Sequence, residues 1–239
     1  MDYRLVDAVT DPEDEADAWV SETLVRLNDG FLCYCAPEEA SLPQAPPSLA
    51  SGSVTFGSFN NPTKLSSTTL DTWAMLLGRV PNSRLLVKGK LFADTVNRAN
   101  FLAKMEQRGV AASRVDLLGV VPGLADHLAT YHQVDIALDP FPYNGTTTTC
   151  EALWMGVPVV TLRGDRHAGR VGASLLTQID LTELIAASVE AYVDIAATLA
   201  NDASRLSELH RTLRSRMAAS PLCNSPAFAR KMEAAYRDM

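Results

Sequence analysis

The sequence predicts a Rossmann-like α/β domain, in which a doubly wound parallel sheet is covered by helices on both faces. Short apolar runs alternate along the chain with segments whose apolar residues recur at helical spacing. The short runs are apolar throughout, which is typical of strands buried on both faces. With 239 residues, the chain is long enough for one large domain of this type.

The regular pattern begins at Val54 and continues to Ile179. Ser66 or Ser67 is suited to cap the first helix, which reaches Val80, because a serine oxygen can accept a hydrogen bond from a free N–H of the first turn. Since a helix follows each strand, successive strands are expected to lie parallel. The predicted strands are 54–59, 84–87, 115–118, 134–138, 157–162 and 184–186, and the later helices are 95–108, 125–132, 147–156 and 170–179.

The two ends of the chain lie outside this series. Residues 11–17 are rich in acids, and residues 37–47 are dense in Pro, Ala and Ser, which predicts an irregular connector. The tail is helical in pattern over 189–217 and again from Pro226 to the end. We therefore place the domain over residues 51–220, with a separate helix in 221–239.

Composition excludes several classes of partner. The net charge of −7 and the sequence pI of about 5.1 disfavour nucleic acids and anionic membranes. The longest apolar runs fall short of the ~20 residues of a membrane span, and the N-terminus has no secretory pattern. The cysteines form no zinc-like pair of pairs, so we expect free thiols and a cytoplasmic protein. They are Cys33, Cys35, Cys150 and Cys223.

Several catalytic and binding motifs are missing from the sequence. No Gly-x-Gly-x-x-Gly follows a predicted strand and there is no Walker loop, which argues against a dinucleotide oxidoreductase or an ATPase. There is no Gly-x-Ser-x-Gly elbow of a serine hydrolase. No Asp-x-Asp follows a strand, so the sequence predicts no acidic metal site.

The segment 144–151 carries the strongest binding signal. Gly145 and four threonines, 146–149, stand at the N-terminus of a predicted helix. Free N–H groups, hydroxyls and the positive end of the helix dipole together favour phosphate oxygens. Glu151 follows one turn later on the face of Thr147 and Thr148, where it could accept hydrogen bonds from ribose hydroxyls. The alternative is that the threonines only cap the helix.

Basic residues follow other strands at the same predicted edge, where ligands of α/β sheets bind. Lys64 could neutralise a diphosphate, or it could be an ordinary surface lysine. His127 could face a base or a ribose, or simply lie at a helix end. Arg170, together with Arg166 and His167, could reach phosphates or a sugar, or pair with nearby acids.

Three stretches resemble the O-GlcNAc transferase/SPINDLY family of glycosyltransferases. They are 60–64, the segment YNGTTTTCEALWMGVP at 143–158, and 164–175, with shorter similarity at 1–4 and 220–222. The resemblance covers nearly the whole chain and is closer to bacterial members than to the animal enzyme. It implies the GT-B fold, in which two Rossmann-like lobes face each other, and it identifies this chain with the C-terminal, donor-binding lobe.

The resemblance also implies roles for individual residues. Lys64 would contact the donor diphosphate and stabilise the leaving nucleotide as the catalytic cation, with Asn61 near the same phosphate. The threonines Thr146, Thr147 and Thr148 belong to the donor site, the last two on the phosphates. Glu151 would then bind the ribose and His127 the base. Arg170 completes the predicted donor-binding set.

Three departures from the animal enzyme leave the base and the sugar open. That enzyme has His where Thr146 stands and Asp where Glu151 stands. The lysine that it uses just before the base-contacting histidine has no clear equivalent in residues 123–126. The donor could therefore be UDP-GlcNAc, another UDP-hexose or GDP-fucose.

In this family, residues like 1–35 close the N-terminal lobe, so we expect 1–50 to be a remnant of that lobe and a linker. The helix in 221–239 would pack toward the missing lobe. We expect the donor-binding half of an inverting glycosyltransferase that needs no metal or cofactor and moves GlcNAc from UDP-GlcNAc to a protein Ser/Thr hydroxyl. The acceptor would be held by the missing lobe and helical repeats, so the isolated chain would be inactive. The alternatives are a nucleotide-sugar-binding module without turnover and a plain scaffold domain.

Overall fold

A six-stranded parallel sheet forms the centre of the protein in a computed structural model that describes residues 2–13 and 15–239. The strand order is β5-β4-β3-β6-β7-β8, so the chain winds outward from β3 in one direction and then from β6 in the other. The sheet is therefore doubly wound, as predicted. The strands are β1 Tyr3–Val6, β2 Thr23–Arg26, β3 Val54–Ser58, β4 Ser83–Lys88, β5 Val115–Leu118, β6 Ile136–Leu138, β7 Val159–Leu162 and β8 Ile185–Ala186.

Helices follow the strands and cover the sheet. They are α1 Ser48–Ser51, α2 Ser67–Arg79, α3 Thr95–Glu106, α4 Leu124–Ala129, α5 Thr147–Trp154, α6 Val171–Thr177, α7 Val189–Ala200, α8 Ala203–Ala219 and α9 Ser225–Asp238. The predicted cap of α2 is confirmed at Ser66, whose Oγ accepts a hydrogen bond of 3.0 Å from the N–H of Thr69. Within the described residues, no helix combines the length and the apolar character needed to cross a membrane.

The core lies between the sheet and its helices. Phe56 of β3 and Ile136 of β6 are fully buried at the centre of the sheet, and Trp73 and Leu76 of α2 are fully buried in the same core. Burial of each such side chain contributes roughly 1.5–3 kcal/mol. Strands that are apolar on both faces are stable only between two layers of helices, which explains why the sequence pattern predicted this architecture.

The structure corrects two predicted elements. The helical pattern over 189–217 is interrupted at Asn201, because Asp202 begins a new helix by accepting a hydrogen bond of 2.9 Å from the N–H of Arg205. The predicted helix 125–132 is α-helical only to Ala129 and continues as a 3₁₀ turn, Thr130–Gln133. Both differences concern where helices end.

The first fifty residues contain structure that the pattern did not predict. Strands β1 and β2 pair in parallel as a separate two-stranded sheet. Ser174 Oγ of α6 donates a hydrogen bond of 2.5 Å to the Asp7 carboxylate, which joins this segment to the domain. From α9, Lys231 Nζ donates to the carbonyls of Asn28 and Gly30 at 2.5 and 2.7 Å. These strands lie outside the regular strand–helix series and only one of their residues, Val6, is buried, so they lack the apolar pattern that marks the strands of the central sheet.

Candidate functional site

Two loops meet at the point where the strand order reverses, between β3 and β6. One loop follows β3 and the other follows β6, and in doubly wound sheets this crevice is the usual ligand site. Lys64 Nζ of the first loop donates a hydrogen bond of 2.8 Å to the carbonyl oxygen of Asn144 in the second. Thr148 Oγ1, in the first turn of α5, donates one of 3.0 Å to Asn60 Oδ1. The two loops are thus fixed to each other.

Asp139, directly after β6, stabilises the turn before α5 through hydrogen bonds. Its carboxylate accepts hydrogen bonds from the N–H of Gly145 at 2.6 Å and from the hydroxyl of Thr161 at 2.7 Å. Burial raises the pKa of Asp139 to about 7, against the effect of these two hydrogen bonds and of Lys64. A methyl group on Gly145 would lie 2.7 Å from the hydroxyl oxygens of both Thr148 and Thr149, so the turn has no room for a side chain.

Helix α5 presents the predicted threonines at this turn. Thr146 occupies the N-cap position, but its side chain makes no capping hydrogen bond. Simple capping therefore does not account for this residue. Thr147 is exposed, and the first-turn N–H groups have no intrahelical acceptors. The buried Thr149 hydroxyl has no hydrogen-bond partner within residues 2–13 and 15–239.

Lys64 ends a short 3₁₀ turn, Pro62–Lys64, in the loop after β3. The exposed Asn61 begins this turn by accepting a hydrogen bond of 3.2 Å from the N–H of Thr63. The ammonium nitrogen of Lys64 lies 4.2 Å from the ring centroid of Tyr143. Burial lowers the pKa of Lys64, while the nearby Asp139 raises it. Among the described residues no carboxylate forms a salt bridge with Lys64, so its charge is available to an anion.

A chain of hydrogen bonds connects the predicted nucleoside-binding residues. His127 Nε2 lies 3.0 Å from Glu151 Oε2, and the Tyr131 hydroxyl donates to the same oxygen at 3.0 Å. Lys88 Nζ, at the end of β4, lies 2.5 Å from His127 Nδ1. The structure thus brings His127 and Glu151 together, as the predicted site requires.

Sequence reasoning missed Lys88 and Tyr131 as members of this group. Lys88 is the last residue of β4 and so stands at the carboxyl edge of the sheet, which is the one signal that could have identified it. Tyr131 lies in the 3₁₀ turn after α4, and its hydroxyl reaches Glu151 across space. That contact has no counterpart in sequence spacing.

Two clefts flank the turn Pro62–Lys64. The larger, which we call the β4 cleft, has a volume of about 750 Å³. The smaller, which we call the Lys64 cleft, has about 490 Å³ and is lined by Thr63, Lys64, Ser66, Pro142 and Tyr143. Both volumes are in the range of small-molecule sites. The β4 cleft is lined by residues 59–63, 88–91, 93, 94, 97 and 119–121.

Arg170 is not brought into this group. Its Nε donates a hydrogen bond of 2.8 Å to the carbonyl of Gly164, and its guanidinium pairs with Glu15. His167 similarly contacts Asp11, with 2.6 Å between Nδ1 and Oδ2. Both residues line a different cavity, of about 530 Å³, beside the N-terminal segment. Pairing with nearby acids is thus what the structure shows, and a donor contact of Arg170 stays a prediction.

The described part of the chain contains no group of three or more His, Cys, Asp or Glu side chains arranged to hold a metal ion. All four cysteines are free. Where the loops after β3 and β6 meet, which we call the loop crossing, the Lys64 ammonium and the N-terminus of α5 supply positive charge.

The chain is similar to known proteins over nearly all of its length. Residues 44–232 match the profile of "Glycosyl transferase family 41". The whole chain is 49% identical to 26% of an Arabidopsis thaliana protein named "Probable UDP-N-acetylglucosamine--peptide N-acetylglucosaminyltransferase SPINDLY". It also superposes, with a TM-score of 0.90 and 38% identity, on 45% of a mutant O-GlcNAc transferase from Thermobaculum terrenum.

A more distant structure shares the fold alone. The sucrose-phosphate synthase of Thermosynechococcus elongatus matches 99% of this chain with a TM-score of 0.66 and 18% identity. The structural neighbours are GT-B glycosyltransferases, so the predicted α/β fold of a GT-B lobe is confirmed. The chain spans about a quarter of the length of the curated relatives that it matches.

Proposed function

Because this chain belongs to glycosyl transferase family 41, we propose that it is the donor-binding half of a protein glycosyltransferase that uses a UDP-sugar, UDP-GlcNAc first among them. The sugar would pass to a Ser or Thr hydroxyl of a protein. The observation that carries this proposal is the crossing of two loops that sets the Lys64 ammonium beside the N-terminus of α5. The names of the relatives support the sugar and the peptide acceptor.

The loop crossing is suited to a diphosphate. A half-buried ammonium without a carboxylate partner and a helix N-terminus both stabilise negative charge, and they do so more strongly where water is partly excluded. Thr147 and Thr148 would bind the phosphates together with first-turn N–H groups, and Asn61 would lie near the same phosphate. We propose that these groups serve in place of a divalent cation, so that binding needs no metal.

The same groups would assist the chemical step. When the bond between the anomeric carbon and the phosphate oxygen breaks, the electron pair stays with the nucleotide. Lys64 would stabilise this growing charge, and such preorganised electrostatic groups commonly contribute a few kcal/mol. The acceptor hydroxyl oxygen would attack from the opposite face, which inverts the anomeric centre, and its proton would pass to a base on the lobe that holds the acceptor. Glu151 would meanwhile hold the ribose and His127 the base.

For the chain on its own, we propose nucleotide binding without turnover. In-line positioning of an acceptor can lower the activation barrier by roughly 7–11 kcal/mol. The described part of residues 1–50 contributes a two-stranded sheet, a 3₁₀ turn and the start of the short helix α1, not a second strand–helix series that could hold an acceptor. The acceptor side would come from another lobe.

Calorimetry with UDP, UDP-GlcNAc, GDP and GDP-fucose tests the proposal, each titration being run in EDTA and in magnesium. We expect uridine nucleotides to bind with the same affinity in both buffers. A large loss in EDTA would contradict metal-free binding, and no binding of any nucleotide would contradict the function. A preference for GDP-fucose would reassign the donor. Radiolabelled donor with a peptide library should show no multiple turnovers by this chain alone.

A further inference from the structure

The direction of the hydrogen bonds around His127 follows from the chemistry of Lys88. A lysine ammonium carries three donors and no acceptor. At 2.5 Å from Lys88 Nζ, the Nδ1 atom of His127 must therefore be the acceptor. The ring proton is then on Nε2, which donates to Glu151 Oε2 at 3.0 Å. The Tyr131 hydroxyl donates to the same oxygen at 3.0 Å and also lies 3.2 Å from the carbonyl oxygen of Thr148. The Lys88–His127 and His127–Glu151 hydrogen bonds thus both run toward the carboxylate.

Lys88 is built into the wall of the β4 cleft. The residue is only 8% exposed, and its ammonium lies 5.6 Å from the ring centroid of Phe59. Within the described ranges no carboxylate forms a salt bridge with Lys88, and the imidazole stands between the ammonium and Glu151. Burial lowers the pKa of Lys88, while Glu151 raises it. The Lys88 ammonium thus has the His127 ring as its hydrogen-bond partner rather than a carboxylate, which is unusual for a buried lysine.

Glu151 keeps one oxygen available. Its Oε2 receives both hydrogen bonds, whereas no hydrogen bond from any described residue reaches Oε1. The Glu151 side chain is 11% exposed and the His127 side chain 21%, so both can contact a ligand. Lys88 and Tyr131 fix their orientation through hydrogen bonds.

On the basis of the proposed function, we propose that Lys88 is a positioning residue of the nucleotide site. It holds His127 as the neutral imidazole with the proton on Nε2, and through that ring it orients Glu151 so that Oε1 faces the ribose. The ligand affected is the nucleoside part of the donor. The diphosphate would depend instead on Lys64 and α5.

Lys90 supplies a matched control. It is two residues further along and lines the same cleft, but it is exposed and lies outside the hydrogen-bond chain. A general effect of positive charge in the cleft should therefore appear in Lys90→Met as well as in Lys88→Met. An effect through His127 should appear only in Lys88→Met.

The first readout is the ring-nitrogen NMR spectrum of histidine-labelled protein without ligand. The chain has four histidines, so a His127→Gln variant assigns the signals of this ring. We expect Nδ1 unprotonated and Nε2 protonated in the natural chain, in Lys90→Met and in Lys88→Arg. In Lys88→Met the Glu151 carboxylate still accepts from Nε2, but Nδ1 has lost its donor and can take up a second proton, so the Nδ1 signal should move toward that of a protonated nitrogen. An unchanged His127 spectrum in Lys88→Met would overturn the inference.

The second readout is affinity for two fragments of the donor, with circular dichroism as a check of folding. Lys88→Met should weaken uridine binding about tenfold and leave inorganic pyrophosphate binding unchanged, and Lys88→Arg should restore uridine binding. A loss of pyrophosphate affinity instead would show a direct phosphate contact and contradict the positioning role. If the natural chain binds neither fragment, the proposed function and the ligand half of this inference both fail, while the spectra still decide the tautomer half.

Discussion

Lys64 and Asn144 are 80 residues apart in sequence, yet Lys64 Nζ donates a hydrogen bond of 2.8 Å to the Asn144 carbonyl oxygen. This bond joins the loops that leave the two central strands of the sheet. Because the acceptor is a neutral carbonyl, the bond orients the ammonium without cancelling its charge. The Lys64 ammonium is therefore oriented by a main-chain group and keeps its charge.

Replacing Lys64 with alanine should weaken the binding of UDP by about 1.5–3 kcal/mol, the scale of a charged hydrogen bond. Calorimetry gives this difference directly. Lys104→Ala on α3 is a suitable control, since Lys104 is exposed and has no part in either cleft. Equal affinities for UDP in all three proteins would remove Lys64 from the site.

Gly145→Ala should damage both the fold and the site. The added methyl group would meet the Thr148 and Thr149 hydroxyl oxygens at 2.7 Å, which forces the start of α5 to move. We expect a loss of about 1–3 kcal/mol in the free energy of unfolding and weaker UDP binding.

Gly78→Ala is the matched control for that change. Gly78 lies in α2 with open space around it, so alanine should stabilise the helix by up to about 1 kcal/mol and leave UDP binding intact. Urea unfolding and calorimetry on the two variants measure both effects. Similar behaviour of the two variants would show that the turn before α5 is not tightly built.

Much of the arrangement of the site could be predicted, because the apolar pattern of the sequence shows where the central strands end. Val115–Leu118 was predicted to the residue, and Thr147 was recognised as the start of a helix at the ligand edge. Lys64 and the threonines follow the two central strands, so one topological rule brings them together.

Other contacts depend on side-chain directions that sequence spacing does not encode. Lys88 reaches His127 between different elements, and Arg170 turns toward Glu15 in a segment without a readable pattern. The parallel pairing of β1 and β2 was also missed, because only Val6 of these two strands is buried and neither belongs to the regular strand–helix series. In each case the position of the residue or strand depends on contacts between segments that are distant in sequence.

Glu151→Gln tests the assignment of the ribose. Glutamine retains one acceptor oxygen for His127 and Tyr131 but replaces the available Oε1 with an NH₂ group, which cannot accept from a ribose hydroxyl. Uridine affinity should fall modestly, by roughly the 0.5–1.5 kcal/mol of an ordinary hydrogen bond, and pyrophosphate affinity should hold. Competition titrations with the two ligands separate these effects. Much tighter pyrophosphate binding by the variant would mean that Glu151 faces the phosphates.

Asp139 should make stability depend on pH. Its pKa of about 7 in the folded chain lies above the ordinary value of 3.8, because burial disfavours the charged carboxylate. The protonated form therefore favours the fold, and this contribution is complete below about pH 4 and lost as the pH rises through 7.

Asp139→Asn isolates this effect, because an amide keeps an acceptor for the Gly145 N–H and does not titrate. Relative to this variant, the natural chain should lose up to about 4 kcal/mol of unfolding free energy between pH 4 and pH 8. Urea unfolding of both proteins at several pH values measures the difference. A constant difference would show that the carboxyl is already ionised throughout this range.

The central claim is that the crossing of the two loops binds a diphosphate, and a crystal structure of the chain with UDP in EDTA tests it most directly. The claim predicts diphosphate oxygens within hydrogen-bond distance of Lys64 Nζ and of the first-turn N–H or hydroxyl groups of Thr147 and Thr148. Diphosphate density elsewhere on the chain, with Lys64 still bonded only to Asn144, would contradict it.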